Sequence, residues 1–245
     1  MNCSAIRVLI ISSGRADTIS THKFVPDTVE IFVPESQVVE YRKNVSNPIV
    51  AVPDEIKGLG MLRNYIVQTV PEETVIMLDD DVIAIYNLEG VKARRLNDKE
   101  EVMKVLINCA ILAMDANCTV FGFAQKDIRA YDGTDPFSLK GWVGCCVGVV
   151  GKSRRFRDDK YKVDIDFCLE ALMRDRIIWI DTRYYFAQHR DNNTGGNAAY
   201  RTKEGYQNSI DTLVEKWGSC IKLNRQKSQI GITLKVQRRQ PLDFG

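Results

Sequence analysis

Four short apolar runs rich in β-branched residues recur through the first third of the chain, at residues 6–11, 29–33, 49–52 and 74–78. Each is shorter than a helix, and none shows the polar alternation of a strand with one wet face. Between them lie segments with helical spacing. One is residues 36–43, with Ser36 placed to cap it; another carries Leu62, Ile66 and Val70 after a flexible Gly58-Leu59-Gly60. Strands buried on both faces and separated by helices predict an α/β fold with a mostly parallel central sheet and helices on both faces. Ligands of such sheets bind at the carboxyl ends of the strands, where Gly14, Pro34 and Asp79 stand.

The second half is less regular. Residues 99–116 predict an amphipathic helix with Val102, Leu106, Ala110 and Ala113 on one face. Strands are expected over 118–124 and 141–150, a helix over 166–173, a last short strand over 177–180, and a helix over 203–217. The expected organisation is one domain, residues 1–221, with a basic C-terminal extension, residues 222–245, packed on it.

The chain has 245 residues, 44% hydrophobic and 27% charged, enough for a core of ordinary size. A net charge of +2 excludes a global basic field, so any contact with nucleic acid needs a local patch. The seven cysteines are odd in number and form no CxxC pair, which fits buried free thiols in a reducing compartment. Two histidines, His22 and His189, exclude a histidine-rich metal site. The N-terminal SAIRVLII is too brief for a secretory signal. The apolar stretch 142–150 falls short of the ~20 residues a bilayer span needs. These features predict a cytoplasmic protein with no membrane partner and no obligatory protein partner.

The fourth apolar run ends in Asp79-Asp80-Asp81. Like charges this close repel unless a proton or a cation lies between them. One aspartate would suit a helix cap; three point to a hard divalent cation, Mg²⁺ or Mn²⁺, which leaves room for substrate phosphates. Gly58-Leu59-Gly60 opens a helix whose first turns carry Arg63 and Asn64, within reach of a nucleotide; a simple left-handed turn explains the glycines equally well. Ser12-Ser13-Gly14-Arg15 follows the first strand, and the planar fork of Arg15 suits a diphosphate, although a plain surface loop has the same composition. Asp164 and Asp166 stand at the start of an apolar helix, where one can cap and the other can take a proton from an attacking hydroxyl. His189 follows an aromatic strand and precedes Arg190.

This ordered set of motifs, over about residues 5–190, resembles the GT-A fold glycosyltransferases. The resemblance implies a DxD motif in which Asp79 and Asp81 hold the metal and Asp80 contacts the sugar or ribose. It places Asp164 where inverting members carry the base of a Glu-Asp motif, with Val163 in place of the Glu. It also implies that His189 completes the metal site. The start IRVLIISSGRADTISTHKF and the tail IKLNRQKSQIGITLKVQRRQ are similar to the phage enzymes associated with modified-base dioxygenases, which glycosylate hydroxymethylated pyrimidines in DNA. That family implies a UDP-sugar donor, with glucose or arabinose as the sugar, and a DNA acceptor.

The resulting expectation is a metal-dependent transfer from a UDP-sugar to 5-hydroxymethylcytosine in DNA. Ser12, Ser13, Gly14, Arg15, Arg63, Asn64, Asp79, Asp80 and Lys227 form the donor set, and Asp79, Asp81 and His189 the metal set. Asp164 and Asp166 are the catalytic pair. Arg155, Trp142, Arg190, Lys222 and Arg225 face the DNA, with Arg183, Tyr184 and Tyr185 available to stack on an extruded base. A glycan or protein acceptor, a metal-dependent nucleotidyltransferase and a non-catalytic DNA-binding protein are the competing expectations.

Overall fold

The computed structural model describes residues 6–88, 93–124, 135–158, 162–188, 202–225 and 230–234. A mixed sheet forms its centre, built from β1 (Ile6–Ile11), β2 (Glu30–Pro34), β3 (Ile49–Val52), β4 (Thr74–Asp79), β5 (Val82–Asn87), β6 (Arg94–Arg95), β7 (Val120–Ala124), β8 (Phe137–Ser138), β9 (Cys146–Val150) and β10 (Trp179–Gln188). The strand order is β3-β2-β1-β4-β9-β7-β10-β5-β6, with β8 on β10. The β1, β2, β3 and β4 strands pair in parallel, as does β7 with β10. Strands β5, β8 and β9 run against the rest.

The apolar runs are explained by burial on two faces. Val8, Ile10, Ile76 and Leu78 enter one core cluster, with α3 (Lys99–Asp115) and Tyr41 of α1 (Val38–Asn44). Their strand neighbours Leu9, Ile11, Val75 and Met77 enter a second, with α2 (Leu59–Thr69) and α4 (Val163–Asp175). Successive strand residues point to opposite faces, so a strand covered on both sides has no polar position left. A third, smaller cluster joins Ile165 and Leu169 of α4 to Leu213 of α5 (Lys203–Trp217) and to Ile221.

Several elements differ from expectation. The last strand of the sheet is β10, ten residues long, where a short strand over 177–180 was expected. Its C-terminal half pairs with β5, a strand the triplet's charge had obscured. The strand expected over 141–150 shortens to β9, because Gly141 holds a positive φ of 133° and the chain turns there. Ser36 does not cap α1; its hydroxyl donates to Asp54 at 2.8 Å instead. The basic extension contains a hairpin, β11 (Ile221–Arg225) with β12 (Ile230–Leu234). Among the described residues no helix is long and apolar enough to cross a membrane.

Candidate active site

Parallel pairing aligns Ile11 of β1 with Asp79 of β4, so the loop after β1 meets the acidic triplet at the carboxyl edge of the sheet. The triplet turns the chain from β4 into β5. The Thr21 hydroxyl secures that turn, donating to the Asp79 carbonyl at 2.6 Å and accepting from Val82 N–H at 3.0 Å. The Asp80 carbonyl accepts from the backbone of Ser20 at 2.9 Å and of Thr21 at 3.3 Å.

The side chains diverge. Asp80, expected against the sugar or ribose, is only 5% exposed. One of its oxygens accepts from Arg15 at 2.6 Å and the other from the Ser12 hydroxyl. Tyr41, fully buried, backs this loop: its hydroxyl lies 2.5 Å from Ser12 Oγ and accepts from Arg15 N–H at 3.1 Å. Burial pushes the Tyr41 phenol up to about 12, so it stays neutral. Burial also raises the Asp80 carboxyl, against the pull of Arg15 and Ser12. Beside them Gly14 is exposed, with φ at 65°, and its N–H donates to Gln37 at 2.7 Å. Ser13 is half-buried.

Asp79 and Asp81 face a common point. Gln188, at the end of β10, donates its amide to Asp81 Oδ1 at 2.7 Å and to Asp79 Oδ2 at 3.4 Å. Arg15 reaches Asp81 at 3.3 Å, and the buried Arg63 reaches Asp79 at 3.0 Å. Burial pushes the Asp79 carboxyl up to about 7; the charges of Asp81, Asp80 and Asp164 add to that, and Arg63 opposes it. Asp164 therefore stands close enough to Asp79 for its charge to be felt.

Among the described residues no group of three His, Cys, Asp or Glu side chains is arranged to hold a metal ion. Two carboxylates converging on one donor do fit a cation that keeps positions for water and phosphate, as Mg²⁺ and Mn²⁺ sites with one or two protein carboxylates do. His189, expected to complete such a site, lies outside the described residues, as do Arg190 and Lys227.

Sequence spacing suggested that Arg63 and Asn64 reach a nucleotide. The structure turns both inward. Arg63 is 1% exposed, donates to the Gly144 carbonyl at 3.3 Å and lies 5.4 Å over the Phe156 ring. Asn64 pairs with both backbone groups of Phe156, each at 2.8 Å. Phe156 in turn stacks on Phe167 of α4. The glycines have local causes: Gly58 has a φ of 92°, and a Cβ on Gly60 would lie 2.1 Å from the Arg157 carbonyl oxygen. That carbonyl occupies the space an anion would need beside Gly60.

Asp164 is half-buried in the first turn of α4. Asp166, its expected partner in catalysis, is 1% exposed and accepts from Trp217 Nε1 at 2.7 Å and Lys216 Nζ at 2.9 Å. Trp142 is half-buried and packs against the cluster that joins α4 and α5. Arg155 is exposed and donates to the carbonyls of Lys152 at 2.6 Å and Arg154 at 2.8 Å. Lys222 is exposed on β11, and Arg225 ends that strand opposite Ile230. Arg183 forks onto the buried Asp181, and Tyr184 meets Phe123 edge-on, so both belong to the sheet's own packing.

Thr21, Tyr41 and Gln188 were missed from sequence. Gln188 had one available signal, its place beside His189 at the end of an aromatic run.

A family model described as TET-associated glycosyltransferase matches residues 6–196. No curated protein matches the chain in sequence. Among solved structures, glucosyl-3-phosphoglycerate synthase from Mycobacterium tuberculosis, in complex with Mn²⁺, uridine diphosphate and glucosyl-3-phosphoglycerate, has 11% identity and a TM-score of 0.56, over 94% of this chain and 87% of that one. The same synthase with Mn²⁺, UDP-glucose and phosphoglyceric acid has 12% identity and a TM-score of 0.52, over 94% and 86%. S. aureus TarS 1–349 with UDP-GlcNAc has 15% identity and a TM-score of 0.47, over 77% of this chain, which spans 59% of the TarS chain. At these identities the likeness to the synthase is one of fold, and that fold is GT-A.

Proposed function

This chain belongs to the TET-associated glycosyltransferase family, and we propose that it moves a sugar from a UDP-sugar to the hydroxyl of 5-hydroxymethylcytosine in DNA. The observation that carries this reading is the convergence of Asp79 and Asp81 on a single point. The synthase of the same fold, solved with Mn²⁺ and uridine diphosphate, supports a nucleotide donor and a divalent cation as ligands of this fold.

Asp79 and Asp81 would hold Mn²⁺ or Mg²⁺, with His189 completing the set, and an ion held there would offset the charge of the departing diphosphate. Ser13 and Gly14 face the nucleotide, with Lys227 closing over it. Ser12, Arg15, Arg63, Asn64 and Asp80 keep the edge rigid through the contacts described above. Asp164 accepts the proton of the acceptor hydroxyl as its oxygen attacks the anomeric carbon, and the configuration inverts. Trp142, Arg155, Arg190, Lys222 and Arg225 lie along the DNA, where the cations neutralise phosphates. The basic extension from residue 222 packs on the catalytic domain and carries part of this track. The target base is single-stranded or extruded from the duplex. The reaction belongs to the cytoplasm, that of the host if the gene is a phage's.

The test is incubation with hydroxymethylated DNA, Mn²⁺ and a panel of UDP-sugars including glucose and arabinose, followed by nucleoside mass spectrometry. A new glycosylated nucleoside is expected, and it disappears on chelation. A β-linked product from an α-linked donor is the expected anomer; an α-linkage removes the base role of Asp164. Transfer to glycan or protein alone would overturn the DNA acceptor, and turnover of nucleoside triphosphates alone would indicate a nucleotidyltransferase.

A further inference from the structure

The first turn of α4 carries Asp164, yet little within α4 itself holds it in place. Its N-cap, Lys162, is in the left-handed conformation with φ at 53°, and the Lys162 side chain makes no capping hydrogen bond among the described residues. An α-helix whose first turn lacks a cap frays unless tertiary contacts hold it. The Phe156–Phe167 stack holds one side of this turn, and a second set of contacts comes from α5. Asp166 sits one half-turn beyond Asp164, and its buried carboxylate accepts from two consecutive residues at the end of α5, Trp217 Nε1 at 2.7 Å and Lys216 Nζ at 2.9 Å. A buried carboxylate with two charge-assisted partners has a narrow set of positions, because losing either leaves an unsatisfied ionic group. Apolar packing runs alongside: Ile165 and Leu169 of α4 meet Leu213 of α5, with Trp142 and Trp217 against them. The family match ends at residue 196, and α5 lies wholly beyond it.

We propose that Lys216 and Trp217 are positioning residues for Asp164, acting through Asp166: the end of α5 latches the start of α4 and so sets where the base stands. Asp166 is then a positioning residue as well, and its carboxylate takes no proton from the acceptor. The proposal rests on the reading of Asp164 as the base. Loss of the latch lets the first turn of α4 fray, which moves Asp164 while leaving the triplet and the loop after β1 in place. The chemical step suffers and the donor site does not.

The experiment compares Trp217→Phe, which keeps an aromatic ring, though a smaller one, and deletes the N–H donor, with Lys216→Met, Lys216→Arg and Asp164→Asn. Arg174→Ala is the control; Arg174 pairs with Glu170 on the exposed side of the same helix. Backbone hydrogen–deuterium exchange on each full-length variant needs no acceptor. Faster exchange is expected in residues 162–167 alone for Trp217→Phe and Lys216→Met, with the wild-type rate restored in Lys216→Arg. Transfer assays with hydroxymethylated DNA are expected to show kcat lower by about 10–100-fold, as small misplacements of a reacting group produce, with the donor KM unchanged. Unchanged exchange and kcat in both latch variants would overturn the proposal. Loss spread over the whole exchange map with a raised donor KM would also overturn it, since that marks a general structural role. If Trp217→Phe fails to fold, Lys216→Met decides alone, its side chain being 42% exposed. Wild-type kcat in Asp164→Asn would overturn the base assignment and the proposal with it, a result distinct from a silent latch.

Discussion

The guanidinium of Arg63 lies inside the protein, 3.0 Å from the Asp79 carboxylate and 5.4 Å over the Phe156 ring. One residue on α2 thus touches both the triplet and the loop that leads toward α4. Among the described residues its Nε and Nη1 atoms meet no hydrogen-bond partner, and the Asp79 and Gly144 contacts and the ring hold the group in position.

Arg63→Met removes those contacts while keeping most of the volume. Hydrogen bonds to charged groups contribute about 1.5–3 kcal/mol each when buried, and Asp79 retains some access to water after the change. A net loss of about 2–3 kcal/mol in unfolding free energy is expected, on the same basis. Urea unfolding followed by circular dichroism measures it; a midpoint within error of wild type would contradict the pairing.

Gly60→Ala should destabilise a helix that alanine would ordinarily favour. Overpacking typically costs about 1–3 kcal/mol, against about 1 kcal/mol gained from helix propensity. The steric cost wins here because the obstructing atom, the Arg157 carbonyl oxygen at 2.1 Å, is backbone and cannot rotate aside. A lower melting temperature is the expected reading, and a higher one would show that the loop moves freely.

Asp81→Asn should abolish the Mn²⁺-dependent part of any UDP-induced thermal shift. A ligand held at a hundred times its Kd stabilises by about 2.7 kcal/mol. That gain should appear in the wild type with both components and vanish in the variant. Persistence of the full shift after the substitution would remove Asp81 from the metal set.

The thiols should divide by burial. Burial raises the pKa of Cys109, Cys146 and Cys168, the last to about 12. The thiolate is the reactive form, so at pH 8 these three remain thiols, and reactivity would climb only as pH rises toward the shifted values. Iodoacetamide at pH 8 should therefore label the half-buried Cys220 and spare those three until denaturant is added, as peptide mapping would report. Labelling of Cys168 in the native protein would indicate that the interior opens readily.

The parts legible in sequence were those set by local pattern. Within β1 and β4, Val8–Ile11 and Val75–Leu78 are apolar throughout because both faces are covered, and that leaves a mark any reader of the chain can find. The triplet was equally visible, since three adjacent carboxylates have no ordinary structural reason. What escaped was set by pairing across the sheet. Nothing near Val82 signals that β5 lies against β10, and only that pairing brings Gln188 to the triplet, 107 residues away from Asp81 in the chain. Arg63 and Asn64 read as ligand contacts because polar residues at a helix start usually face outward; the Gly144 carbonyl and the Phe156 backbone that they meet are main-chain groups on distant segments, and such groups leave no mark in the sequence.

The antiparallel strand β9, inserted between β4 and β7, brings the Cys145 carbonyl to 2.8 Å from the Asp79 N–H and the Gly144 carbonyl within reach of Arg63. Both are main-chain oxygens, which every amino acid possesses. The support beneath the most demanding aspartate therefore comes from the path of the backbone, whatever side chains stand at 144 and 145.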